Sequence, residues 1–152
     1  MLVAPDKFKG SLTARQVADA IAAGIHDVRP GHAVRSVPVA DGGDGTVDAA
    51  LAAGFARLAV SAHGPTGEPI EAVIAVRDGV AVVETAAACG LVRLPGGRLA
   101  PMTATSFGAG ELVRAALDAG CRTIVLGVGG SASTDGGAGM LQALGAATFS
   151  LI

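Results

Sequence analysis

With 152 residues, 51% of them hydrophobic, and a mean hydropathy of +0.56, the chain can build one compact domain or part of a larger protein; its 16% of charged residues excludes a disordered one. A net charge of −2, aromatics at only 3% and the lack of any Lys/Arg cluster argue against a nucleic-acid partner, since unstacked bases would find almost no platform. The 23 glycines fall in clusters, which points to functional loops and not to a fibre.

Leu2 to Ala4 reads as the end of a buried strand, followed by the loop PDKFKGS. Thr13 is the expected N-cap of an amphipathic helix that places Val17, Ile21, Ala22 and Ile25 on one face and stops at Pro30-Gly31. HAVRSVPVAD is a second strand, GGDG a glycine loop, and Thr46 the expected cap of a short helix through Leu51. The pattern then changes: RLAVSAHG, PIEAVIAV and VAVVETAA, separated by the turn signals PTGE and RDG, predict an antiparallel meander. Beyond a Gly/Pro-rich connector, a helix is expected from about Ser106 to Ala119, with Leu112, Ala116 and Ala119 inward and Gly120 closing it. RTIVLGVG predicts a buried strand of the parallel type, feeding the loop GVGGSASTDGGAGM, and AGMLQALGA is the next helix. These elements predict an α/β fold: a Rossmann-like parallel sheet with helices, plus a short antiparallel β meander belonging to a second α/β domain, with the division near 1–57 and 58–152.

Strand, DGGDG, helix in the first third is echoed later by strand, DGGAG, helix, so Asp41 and Asp135 hold equivalent places at the carboxyl ends of strands, where open α/β sheets bind ligands. Glycine-rich turns ahead of a helix offer free N–H groups to phosphate or carboxylate; the competing reading is that the glycines only let strand and helix pack closely. No Gly-Lys-Ser/Thr closes either loop, so a Walker A site is excluded. GVGGSA satisfies G-x-G-x-x-A formally, but STDGG follows it where a dinucleotide site needs a helix. Asp41, Asp44 and Asp135 are candidates to hold Mg²⁺ or to take a hydroxyl proton, with a plain N-cap or first-turn charge the competing role of Asp44. A glycine-loop aspartate such as Asp135 is expected to contribute little to the core. In PDKFKGSL two lysines flank Phe8, either of which could meet an anionic group. Glu84 ends an apolar strand and ranks as a second-tier candidate. His26, His32 and His63 lack ligand spacing and read as surface residues, and Ser11, Ser131, Ser133 and Thr134 lack a base partner, so they read as hydrogen-bonding groups. Cys89 and Cys121 match no metal spacing and are expected to be reduced core residues. No apolar run reaches the roughly 18 residues of a membrane span; with no signal-peptide pattern at the start, the cytoplasm is the expected location and no membrane partner is expected.

Four stretches together resemble the bacterial glycerate kinase family of type 1: APDKFKGSLTA from Ala4, PVADGGDGTVDA from Pro38, TATSFGAGELVRAALDAG from Thr103 and GVGGSASTDGGAGMLQALG from Gly127. The resemblance runs from Leu2 to about Gly145 and implies two α/β domains with the active site in the cleft between them, ATP and Mg²⁺ as cofactors, and D-glycerate as the small-molecule substrate. Family members are longer, so the chain resembles their N-terminal part, and after Gly145 the text AATFSLI leaves the family's usual continuation. Carried over by position, the catalytic candidates are Asp41, Asp135 and Lys9, with Asp41 and Asp135 also the metal candidates. Asp6, Ser11, Gly42, Gly43, Asp44, Glu84, Thr105, Gly129, Gly130, Ser131, Gly136 and Gly137 are the substrate- and phosphate-binding candidates. A truncated family member is expected to turn over poorly and to self-associate through exposed edges; a catalytically inactive remnant or a small anion-binding α/β domain are the alternative readings.

Overall fold

A computed structural model of the chain describes residues 1–8, 11–37 and 39–146. The chain divides into two compact units, Met1–Asp41 and Gly42–Ile152.

The first unit is a βαβ arrangement. Strand β1 (Leu2–Val3) pairs in parallel with β2 (Arg35–Ser36), and helix α1 (Ala14–Val28) is the crossover. Only the core of the expected second strand qualifies as β2, but ladder-like bonds continue beyond it, from Val37 N–H to Val3 O at 2.8 Å and from Val39 N–H to Pro5 O at 3.1 Å. Thr13 caps α1 as expected, and in both directions: its hydroxyl accepts from Gln16 N–H and its own N–H donates to the Gln16 side chain. Val17 and Ala18 are the buried residues of α1, whereas Ile21, predicted inward, is exposed.

In the second unit four strands lie in the order β3 (Ala56–His63), β4 (Pro69–Arg77), β5 (Val80–Glu84), β6 (Thr123–Gly127). The first two pairings are antiparallel, the predicted meander, and β5–β6 is parallel. Helix α4 (Phe107–Asp118) makes that last step a crossover. Successive residues of a strand face opposite sides of a sheet, so the register sorts the side chains. One face carries Ala62, Ala72, Ile74, Ala81 and Val83, which pack with Leu112 and Ala116 of α4 and with Ala88 of α3 (Ala86–Cys89) into the main core. The other face carries the row Arg57, Ala75, Val82, Val125; α2 (Thr46–Ala52) covers its middle, where Val47 packs on Ala75 and Val82.

Three local expectations change. β6 is parallel but lies at the sheet's end, leaving Val125 half exposed where a buried strand was predicted. Ala119, predicted inward, is exposed beyond the end of α4, although Gly120 does close that helix at φ +83°. Thr46 does not cap α2; Gly45 holds that position at φ +94°, and the Thr46 hydroxyl donates to Gly43 O at 2.7 Å. Both cysteines are free and buried, as predicted. His63 is exposed, and its Nδ1 lies 2.9 Å from Glu111 Oε1, tying the end of β3 to α4. Among the described residues no helix is long and apolar enough to cross a membrane. The divergent AATFSLI end lies outside the described residues from 147 onward.

Candidate active site

The candidates of the first unit gather where β1 and β2 run out. Asp6 Oδ1 accepts the Lys7 N–H at 2.7 Å, and Lys7 Nζ stands 3.9 Å from both Asp6 Oδ1 and Asp41 Oδ1. The Lys7 side chain is only 13% exposed and its ammonium has no hydrogen-bond partner among the described residues, so two carboxylates at long range hold a largely desolvated cation. The fold thus anchors Lys7; Lys9, the carried-over candidate, lies outside the described residues. The sequence left open which of the two lysines flanking Phe8 would meet an anionic group. Ser11 serves a turn: its N–H and hydroxyl both donate to Phe8 O, at 2.9 and 3.1 Å.

In the second unit the two glycine loops lie against each other. Gly129 N–H donates to Gly42 O at 2.9 Å, and a Cβ on Gly127 or Gly129 would come within 2.6 Å of Gly42 O or 2.8 Å of Gly43 Cα. Close approach is therefore the immediate reason for glycine at these positions. The segment after β6 is then gripped from α3: Ala132 N–H donates to Cys89 O at 2.8 Å and Leu91 N–H to Gly130 O at 2.9 Å. Ser131 Oγ lies 2.9 Å from Ser133 Oγ and 3.9 Å from Cys89 Sγ, a small polar cluster behind the loop. Burial pushes the Cys89 thiol up in pKa, which keeps it a neutral packing group. The Gly130 and Ser131 N–H groups take no partner among the described residues. A Cβ on Gly130, whose φ is +74°, would sit 3.5 Å from Asp44 Oδ2, so the Asp44 carboxylate abuts this stretch of loop.

Asp135 contradicts the expectation that it matters little to the fold. Its Oδ2 accepts from Ser106 N–H at 2.8 Å, Ser106 Oγ at 2.8 Å, Thr105 Oγ1 at 3.3 Å and Gly139 N–H at 3.1 Å, and its Oδ1 from Gly137 N–H at 3.1 Å. One carboxylate thus satisfies orphan donors at the starts of both α4 and α5 (Ala138–Ala143). Partial burial raises its pKa, but the donors of Ser106, Gly137 and Gly139 outweigh that and hold it below the ordinary carboxylate value. Ser106 completes the junction by accepting Met140 N–H at 2.9 Å; sequence reasoning missed it, although a serine just ahead of a helix is an N-cap signal. Gly136 and Gly137, at φ +61° and +84°, provide the turn that lets the loop double back onto this carboxylate.

Glu84 behaves in the opposite way. Its Oε2 accepts Val47 N–H at 3.0 Å at the start of α2. Burial pushes its pKa up, the N–H groups of Val47, Gly45 and Thr46 only partly offset that, and the charge of neighbouring Asp44 adds to the rise. Glu84 and Asp44 both line a cleft of ≈ 300 Å³ between α2, β3–β4 and the 3-10 turn Leu91–Arg93. Among the described residues no group of three or more His, Cys, Asp or Glu side chains could hold a metal ion.

Residues 1–150 match the model of the glycerate kinase family. The chain is 48% identical to glycerate kinase of Bacillus subtilis (strain 168) over 148 residues, covering 95% of this chain and 39% of that protein. It is likewise 48% identical to glycerate 2-kinase of Escherichia coli (strain K12) over 150 residues, or 96% of this chain and 39% of that protein. The crystal structure of a protein assigned as glycerate kinase 2 from Salmonella typhimurium LT2 superposes with a TM-score of 0.78 at 44% identity, over 95% of this chain and 40% of that one. The chain therefore spans about two fifths of the length of the curated relatives it matches.

Proposed function

The chain belongs to the glycerate kinase family, and from that membership we propose that its loops serve ATP-dependent phosphorylation of D-glycerate. What carries this reading is the loop after β6. Adjacent Gly130 and Ser131 N–H groups without a partner suit phosphate oxygens, and the contacts from Cys89, Leu91 and Asp135 hold the loop in place, so that little reorganisation accompanies binding. Asp44 abuts Gly130 and lines the neighbouring cleft, which supports a role in accepting the proton of a hydroxyl that attacks a phosphate held there. In the first unit Lys7 offers positive charge to an anionic group, and Lys9 keeps the role that the motif assigns it.

Mg²⁺ typically takes one or two carboxylates plus phosphate oxygens and waters. The exposed carboxylate of Asp41 fits that mode. Asp135 fits it less well, because four donors crowd its Oδ2 and the Gly137 N–H already sits on its Oδ1. Bound Mg²⁺ would neutralise phosphate charge; the protein's share is to orient phosphate on Gly130 and Ser131 and to hold the proton acceptor beside them. Asp135 acts through loop position and not as a base. A cytoplasmic setting and self-association through exposed apolar residues such as Val125 and Val128 belong to the same proposal.

The test is ADP release by this chain with Mg-ATP and D-glycerate, against L-glycerate and no acid, alongside ligand-induced shifts in Tm. Turnover dependent on D-glycerate and sharply reduced in Asp41→Asn and Asp44→Asn is expected. Neither ligand raising Tm, or ADP release indifferent to the acid, would refute the reading; a Tm raised by ATP without acid-dependent turnover would favour a plain anion-binding domain.

A further inference from the structure

The ≈ 300 Å³ cleft of the second unit lies beside the glycine loop, and its chemistry is divided. Asp44 of the glycine loop and Glu84 of β5 line it, and so do Arg57 of β3 and Arg93 of the 3-10 turn. Strands lie about 4.8 Å apart, so the order β3-β4-β5 sets the backbone of Arg57 about 10 Å from that of β5, a gap its long side chain partly closes. Arg93 is held to β4, its Nη2 lying 3.4 Å from Glu71 O. Neither arginine forms an ion pair among the described residues, and Arg57 makes no hydrogen bond there either. Arg77 shows what an arginine with a structural duty looks like in this sheet: it stacks 4.2 Å from the Phe55 ring centroid and donates to Ala53 O at 2.8 Å.

We propose that this cleft is the seat of a small hydroxy acid, its carboxylate on Arg57 and Arg93 and its hydroxyl end on Asp44 and Glu84, facing Gly130. Arg57, without a hydrogen bond among the described residues, and Arg93, engaged only by its long contact to Glu71 O, offer the planar donor forks that suit a carboxylate. Asp48 and Glu71 line the cleft as well, making four carboxylates against two cations, which works against a simple anion and calls for hydroxyl donors on the same molecule. Glu71 is partly engaged, accepting the Ser61 hydroxyl at 2.5 Å. The volume lies at the small end of ligand sites and suits a compact acid better than a nucleotide. Because Asp44 belongs to both the cleft and the border of Gly130, a hydroxyl seated on it points toward the phosphate loop. The assignment of D-glycerate as that acid rests on the kinase reading above; the arginine-lined seat itself does not.

The experiment is calorimetric titration of this chain with D-glycerate, glycerol, D-serine and inorganic phosphate, with Arg57→Gln and Arg93→Gln as variants and the exposed Arg98→Gln as control. Circular dichroism verifies that each variant is folded, and the methyl resonances of Val73 and Val92 report on the cleft itself. D-glycerate is expected to bind and to shift those methyls; each cleft variant is expected to weaken it about tenfold, as for the loss of one charge-assisted hydrogen bond. Arg98→Gln is expected to leave binding unchanged. Binding that ignores both cleft arginines overturns the seat and leaves the kinase reading intact. Arginine-dependent binding without ADP release removes the kinase reading and keeps the seat. Equal binding of glycerol, phosphate or D-serine, or no binding of any of them, also overturns the inference.

Discussion

Asp135 and Glu84 both stand where a strand hands over to a helix, yet the fold treats the two carboxylates in opposite ways. Asp135 gathers five donors from Thr105, Ser106, Gly137 and Gly139 and is held in its charged form. Glu84 accepts Val47 N–H at the start of a short helix, is half-buried beside Asp44, and has its pKa pushed up. Donors gathered on a carboxylate favour its charged form and add to stability, whereas desolvation beside a cleft disfavours that form at some cost in stability. The more conspicuous motif residue is thus the clamp, and the inconspicuous strand-end residue is the one poised over a cavity.

The largest expected effect would break that contrast if it failed to appear. Asp135→Ala should lower the unfolding free energy by about 3 kcal/mol, from lost charge-assisted hydrogen bonds and two uncapped helix starts. Asp135→Asn should cost about half as much, since an amide accepts on one side only. Urea unfolding measures both, and a loss below about 0.5 kcal/mol in the alanine variant would mean the junction is not a clamp.

Gly139→Ala probes the same junction without touching a charge. The added Cβ would lie 2.2 Å from Thr105 Oγ1, 2.7 Å from Phe107 N and 2.9 Å from Asp135 Oδ2, so it must push the junction apart. A destabilisation of about 2 kcal/mol is expected. Combined with Asp135→Ala it should cost less than the sum, because both changes open one contact.

The pH dependence of stability sharpens the comparison from both sides. For Asp135 the folded pKa lies below the unfolded one, so its stabilisation is complete above the unfolded carboxylate value and is lost as pH falls through the lowered native one. For Glu84 the folded pKa lies above, so its contribution is complete below the unfolded value and is lost as pH rises through the raised native one. Asp135→Asn should flatten the acid limb of the stability profile, and Glu84→Gln the limb just above the ordinary glutamate range. Profiles that shift on the same limb would erase the distinction.

The smallest effect separates glycines that the fold needs from those it does not. Gly24 lies inside α1 with nothing within 4 Å of an added Cβ, so Gly24→Ala should stabilise by about 0.5–1 kcal/mol, read from the same urea melts. Destabilisation there would show that α1 packs more tightly than its exposure implies.

Much of this was legible along the chain. Thr13 marked the start of α1, alternation with PTGE and RDG marked the meander, and the 3.6-residue repeat of Leu112 and Ala116 marked the buried side of α4. Each signal is local, since capping, pleat alternation and helical period all act within a few residues. The four family motifs are local text as well, and they sufficed to indicate the glycerate kinase family.

What the sequence could not decide is which polar groups meet. DGGDG and DGGAG read as siblings, but only the packing of α4 against α5 turns Asp135 into an acceptor for donors from Thr105 and Ser106, about thirty positions upstream. Likewise Arg57, Arg93, Asp44 and Glu84 come from four separate segments, and nothing in their spacing says that they border one cleft. That neighbourhood exists because the strand register sets Arg57 on the face that α2 half covers, with Glu84 on the same face at the end of β5. Burial, and with it the sign of each carboxylate's pKa shift, is a property of that assembled surface: a side chain's charge is written in the sequence, but the loss of its water is not.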